Sequence, residues 1–303
     1  MARLDIVKQR VRAAFRALAG IDAHIVDTPT PATSPASPAV YQPSARVLDY
    51  YVTTAPSPQT ALDLFKGEWA SALPAPLTDT LAGSIGLFAD ARITWAIEQF
   101  GGVEGRSVLE LGPLEGGHSY MLEQAGAAEV VAIEANGRAF LKCLIVKELL
   151  GLQRVRFLCG DFVEYLRAAP RRFDMIIASG VLYHMRNPAE LIDLMARTGK
   201  QIFIWTHYYD EMIIQASPIL APKFPSRWTT EYQGFRHTLY RQEYQTALDE
   251  LKFCGGSAPY SAWMTREELL ACVRYFGFHD LRLAFDVPDH PHGPSLALVA
   301  VRR

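Results

Sequence analysis

The sequence predicts an α/β fold, a doubly wound and mostly parallel sheet, and three observations predict it. Short apolar runs alternate with amphipathic helical stretches from about residue 106 onward, the rhythm of a parallel sheet wrapped on both faces. The run opening Val108–Ser119, VLELGPLEGGHS, ends in an acid and passes through glycines at 112, 116 and 117 into a helical pattern from about Tyr120. Successive strand ends then carry Glu110, Glu134 and Asp161 in order, where open α/β sheets bind ligands.

Taken from the start, residues 1–27 read as a basic amphipathic helix. Leu4, Val7, Val11, Phe15 and Leu18 recur at helical spacing, with Arg3, Lys8, Arg10, Arg12 and Arg16 mostly off that stripe. It lacks the apolar core of a signal peptide and is expected to dock on its own domain or on a partner subunit, a route to a homo-oligomer. Residues 28–44 are a Pro/Ser/Thr-rich tether. Residues 45–101 are expected to be a helical cover at the ligand end of the sheet, with Trp69 as a core anchor and a helix from about Asp90 to Phe100.

The main domain, 102–303, carries expected strands at 106–111, 129–134, 154–159, 173–178 and 200–206. Expected helices lie at 118–125, 137–150, 161–168 and 188–198. A capped helix over Thr265–Phe276 and strands Leu281–Val287 and Leu296–Val301 complete a count of seven strands. The stretch 207–263 is too long for a simple connection and is rich in Tyr, Phe and Trp; it is expected to form a lid over an organic substrate.

Composition sets outer limits. The net charge of −2 gives no global attraction to nucleic acid or an anionic membrane, which favours a small-molecule partner. Cys143, Cys159, Cys254 and Cys272 have no C-x-x-C spacing, as in reduced cytoplasmic proteins. No segment is long and apolar enough to span a bilayer.

The glycine loop reads G-x-x-x-G-G, and this spacing excludes the G-x-G-x-x-G nicotinamide fingerprint. A carboxylate at Glu134 suits a ribose diol, and one at Asp161 suits an exocyclic amine. Together with Ser179-Gly180 running into VLYHMRNP (181–188), these features resemble the class I S-adenosylmethionine-dependent methyltransferases over about Gly102–Arg303. The resemblance implies S-adenosylmethionine as cofactor and a reversed last strand. It implies that Gly112 and Gly116 hold the methionine part and that Glu110 lies near its amino end. Glu134 would take the ribose, Asp161 and Phe162 would border the adenine, and Ser179 and His118 would be further cofactor contacts. Leu114 stands where a middle glycine is common.

Methyl transfer to a hydroxyl needs a base, and histidine titrates in the right range. His207 and His184 follow the fifth and fourth strands; His207 is the favoured base, with Tyr183, Tyr208 and His237 as substrate contacts. His290 and His292 are two residues apart without a carboxylate pattern, and no metal is expected. The leading expectation is O-methylation of a small organic metabolite. The alternatives are a tRNA-modifying carboxymethyl or methyl transferase, on the same VLYH segment, and a non-catalytic scaffold.

Overall fold

The computed structural model describes residues 50–168 and 171–302. The expected helix at 1–27 and tether at 28–44 lie outside the described residues. Thr54–Arg303 form one unit. Its strands are β1 (Ser107–Leu111), β2 (Glu129–Glu134), β3 (Val155–Cys159), β4 (Phe173–Ser179), β5 (Gly199–His207), β6 (Ser226–Tyr232), β7 (Phe235–Glu243), β8 (Tyr260–Trp263), β9 (Phe278–Val287) and β10 (Ser295–Arg302). Its helices are α1 (Pro58–Leu62), α2 (Ala91–Gln99), α3 (Gly117–Gln124), α4 (Gly137–Leu150), α5 (Phe162–Arg167), α6 (Pro188–Thr198), α7 (Glu211–Ala216) and α8 (Arg266–Tyr275).

Seven strands form one sheet in the order β3-β2-β1-β4-β5-β10-β9. The central pairs are parallel, with Val108 opposite Val130 on one side and Met175 on the other. β10 runs antiparallel to both β5 and β9, so the last strand is the reversed one. Side chains alternate between the two faces. Leu109, Leu111, Val131 and Ile176 pack with Leu191, Ile192 and Met195 of α6; Val108, Val130, Met175 and Ile177 pack with Ile93 of α2 and Cys143 of α4. Each fully buried side chain of this kind contributes roughly 1.5–3 kcal/mol.

Local chemistry sets the helix limits. Asn136 caps α4 by accepting from the Arg138 and Ala139 amides, and Gly151 ends it at φ 65°. Asn187 and Pro188 start α6, and Thr265 caps α8 by accepting from Glu268 N.

The cover departs from its helical expectation. Between Thr54 and Phe100 only α1, α2 and two single 3₁₀ turns are helical. Pro74, Pro76, Gly83 and Gly86 interrupt the rest. Leu62, Phe65, Trp69, Leu73, Leu77 and Phe88 nevertheless pack on Val146 of α4, and Trp69 Nε1 donates to Leu62 O at 2.8 Å.

An ion pair fastens this cover to the glycine loop. Glu115, 1% exposed, accepts from Ala70 N, Ser71 N and Lys142 Nζ, the last at 2.9 Å; Lys142 also donates to Glu68 O. Removing one partner of a buried pair strands the other charge. Glu115→Ala is expected to lose about 3–5 kcal/mol of unfolding free energy in urea titration, and Glu115→Ala with Lys142→Met to recover part of that loss.

The insertion between β5 and α8 holds an antiparallel sheet in the order β6-β7-β8. Four of its aromatics form a core of their own: Tyr209, Phe224 and Trp263 cluster with Ile214 and Leu220, and Tyr240 stacks on Tyr209 at 3.6 Å; Tyr208, Tyr232 and Phe235 pack with the main core instead.

Candidate active site

The strand order reverses between β1 and β4, where the connections leave the sheet on opposite faces and open a crevice. A cavity of about 840 Å³ lies there. Gly112, Leu114, Gly117 and His118 line it from the loop after β1, Glu134 and Asn136 from the end of β2, and Asp161 and Phe162 from the end of β3. Ser179, Gly180, Tyr183 and His184 follow from β4, Trp205 from β5, and Phe253–Ala258 from the insertion.

The loop after β1 lies close to its neighbours. Gly112 has φ 65°, and a Cβ there would meet Val181 Cγ1 at 2.6 Å; at Gly117 it would meet Leu87 O at 2.7 Å. Leu114 takes the left-handed conformation, φ 56°, at a cost of roughly 1–2 kcal/mol. Its amide donates to Glu134 Oε2 at 3.0 Å, and Asn136 N donates to Glu134 Oε1 at 2.8 Å. Each Glu134 oxygen thus spends one lone pair on the backbone and keeps another. Burial raises the Glu134 pKa, partly offset by these amides. Asp161 caps α5 through Oδ1, accepting from Val163 N at 2.7 Å, which leaves Oδ2 unused.

A charged network closes the other end. Asp90, the cap of α2, accepts from Arg92 N and Arg92 Nε, and its Oδ2 lies 3.0 Å from His118 Nε2. Burial alone would raise the Asp90 pKa, but His118 and Arg92 together hold it well below the usual carboxylate range. The Arg92 guanidinium sits 4.2 Å from the centre of the Trp205 ring. Beneath His118, Glu110 is 1% exposed; Oε2 accepts from Ser119 Oγ, while Oε1 has no hydrogen-bond partner among the described residues and lies 3.8 Å from His118 Nδ1. Burial raises its pKa. Close-approach glycines, a half-coordinated carboxylate at β2 and an orphaned buried carboxylate oxygen fit a nucleoside bearing a cationic aminoacyl end.

His184 lines the cavity and its Nδ1 is 2.8 Å from Tyr244 Oη. Burial, then the neighbouring His207, pushes its pKa down to about 3. The ring is therefore neutral at physiological pH.

Five expected contacts stand away from the cavity wall: Glu110, Gly116, His207, Tyr208 and His237. Glu110 reaches the cavity only through His118. Gly116, at φ 80°, is the residue before α3 and faces Phe157. Tyr208 is 4% exposed and donates to Asp286 Oδ1; His237 is 2% exposed, stacks on Phe235 and bonds Phe235 O. His207 is the main correction. β5 extends through it, its ring stacks on Trp263 at 5.3 Å and 8°, and Nδ1 donates to Gly293 O at 2.7 Å. It therefore braces the wall formed by Tyr183 and Trp205, 4.7 and 5.3 Å away by ring centres, and is not carried forward as the base.

Sequence reasoning passed over Asp90, Arg92, Tyr244 and the Phe253–Ala258 loop. Asp90 was readable as a helix cap and Gly255-Gly256 as a turn; Tyr244 carries no local signal.

Both rings tie stability to pH. The His207 pKa is pushed down to about 4, chiefly by burial, so between its folded value and about 6.5 only the unfolded chain takes the proton. The contribution of each ring is complete above about 6.5 and is lost as pH falls toward the folded value. In a ¹⁵N NMR titration, His184 and His207 should stay neutral at a pH of about 5.5, where an exposed histidine is mostly charged; a cationic His184 there would contradict the burial argument.

Comparison with known proteins agrees with this geometry. A family model described as a methyltransferase domain matches residues 103–246. The tRNA U34 carboxymethyltransferase of Cellvibrio japonicus is 26% identical over 200 residues, 63% of this chain and 57% of that protein. That of Photobacterium profundum is 32% identical over 90 residues, 30% of this chain and 28% of its own length. The chain thus spans little more than half of the first relative and less than a third of the second. The N-terminal domain of EvdMO1, crystallised in the presence of SAH and D-fucose, shares the fold with a TM-score of 0.62 at 20% identity, over 81% of this chain and 95% of that one. Matched domain, strand order and crevice converge on one conclusion: residues 103–246 carry a methyltransferase domain, in a sheet that shares its fold with S-adenosylhomocysteine-bound methyltransferase structures.

Proposed function

We propose that this protein transfers a methyl group from S-adenosylmethionine to a hydroxyl of a small organic acceptor held beside Tyr183 and His184. The observation that carries this reading is a histidine lining the same cavity as Glu134 and Asp161, at the end of β4 and held by Tyr244. A volume of about 840 Å³ is in the range of small-ligand sites. The EvdMO1 domain, which shares this fold, was crystallised in the presence of a sugar, and this supports an acceptor of that size.

Bound S-adenosylmethionine supplies a methyl group already activated for displacement. The protein's part is placement, dryness and one proton. Glu134 would hold the ribose hydroxyls and Asp161 with Phe162 the adenine; Gly112 and Ser179 would border the methionine chain, with His118 relaying the Glu110 charge toward the amino group. Tyr183, Trp205 and Phe253 exclude water from the acceptor side. His184 takes the proton of the acceptor hydroxyl.

A second reading, carboxymethyl transfer to tRNA, is favoured by the curated relatives and by Arg186. That residue lines the cavity mouth, is exposed and makes no salt bridge among the described residues, so it is available to an additional carboxylate. Calorimetric titration with S-adenosylmethionine, S-adenosylhomocysteine and carboxy-S-adenosylmethionine separates the two. Micromolar binding of the first pair with no gain from the carboxylated form supports the small-acceptor reading; strong preference for the carboxylated form, lost in Arg186→Ala, replaces it with the second.

Two substitutions test the assignments. Glu134→Gln keeps an acceptor for one backbone amide and should weaken S-adenosylhomocysteine binding about a hundredfold, near 2.7 kcal/mol; unchanged affinity would remove the ribose role. His184→Gln should lower radiolabelled methyl transfer to an accepted sugar or alcohol by roughly 10²–10⁴-fold while leaving S-adenosylhomocysteine affinity within about twofold. Full turnover would remove the base role.

A further inference from the structure

We infer that Tyr244, contributed by the insertion, is a positioning residue: it fixes His184 with its proton on Nδ1 and its lone pair on Nε2, and it ties that state to the Phe253–Ala258 loop. The inference rests on the reading of His184 as base.

The argument is a count of protons. Tyr244 Oη lies 2.9 Å from Gly255 O and 2.8 Å from His184 Nδ1. A carbonyl oxygen only accepts, so the single hydroxyl proton of Tyr244 points to Gly255. The contact with His184 must then be made by a hydrogen on Nδ1, with the tyrosine oxygen accepting. In a neutral ring this leaves Nε2 unprotonated. Without an acceptor at Nδ1, the proton would divide between the two nitrogens, and a molecule carrying it on Nε2 cannot receive another there.

The surroundings hold Tyr244 in this role. It is 8% exposed, and burial pushes its pKa up to about 12, so the hydroxyl keeps its proton at physiological pH. Phe253 packs edge-on against its ring at 4.9 Å. A Cβ at Gly255 would meet the Tyr244 ring at 2.8 Å and the Phe253 ring at 2.7 Å, so the loop can lie against the tyrosine because residue 255 is glycine. On its other side the same loop accepts from Asn136 Nδ2 at Phe253 O, 3.3 Å, and Asn136 N is one of the two donors to Glu134. The loop therefore spans from the carboxylate assigned to the ribose to the histidine assigned to the acceptor, and Tyr244 fastens its acceptor side.

The test is ¹⁵N NMR of the imidazole nitrogens in full-length protein at a pH of about 7.5, well above the unperturbed histidine value, with His184 assigned by difference from His184→Gln. The wild type should show a protonated Nδ1 and an unprotonated Nε2, and Tyr244→Phe a mixture of both tautomers. With an accepted substrate, Tyr244→Phe should lower kcat roughly tenfold to a hundredfold, leaving S-adenosylhomocysteine affinity within about twofold. A wild-type His184 protonated on Nε2, or a tautomer unchanged in Tyr244→Phe, overturns the inference; the wild-type spectrum decides even if the variant folds poorly. A tautomer that shifts in Tyr244→Phe while both variants keep full turnover removes His184 as base and leaves the tautomer assignment standing, so the two failures are distinct.

Discussion

The shape of the cofactor end depends on the Glu115–Lys142 pair. Glu115 lies inside the glycine loop, Lys142 on α4, and the amides of Ala70 and Ser71 come from the cover. Three separate parts of the chain thus converge on one buried carboxylate. The net gain from such a pair is small because both ions lose water, yet removing either is costly. Its effect is to specify an arrangement: with Glu115 fixed, Leu114 is held in its left-handed turn and its amide is delivered to Glu134.

The site combines carboxyls of opposite character. Asp90 is kept ionised by His118 and Arg92, whereas burial raises the pKa values of Glu110 and Glu134. A carboxyl raised by burial regains its charge most readily when a cation arrives beside it. The ammonium and sulfonium of an aminoacyl ligand are cations of that kind, so the cavity is electrostatically incomplete in a way that such a ligand would complete.

The central sheet was legible because its signals are local. β2, α4 and α6 match their expected bounds, since β-branched runs, the Asn136 and Gly151 ends of α4 and the Asn187-Pro188 start of α6 all act within a few residues. Glu134 and Asp161 followed from knowing where strands end. What was not legible depends on packing between distant segments. His207 looked like the first residue past a strand, but β10 extends β5 through it, and Trp263 and the turn at 290–294 cover it. Tyr244 meets His184 across 60 residues of sequence. The aromatics of the insertion announced burial without saying where: Tyr209, Phe224, Tyr240 and Trp263 bury one another, while Tyr208, Tyr232 and Phe235 join the main core.

The walls of the cavity are not equally anchored. The β1 loop is wedged beneath Leu87 and the β4 side is backed by stacked rings, whereas two side-chain hydrogen bonds, at Phe253 O and Gly255 O, fasten the insertion loop across the front. Contacts of that number break on a far shorter timescale than a packed core opens. The front loop is therefore the part of the cavity wall that parts at the lowest cost, with two hydrogen bonds to break where the other walls would have to unpack.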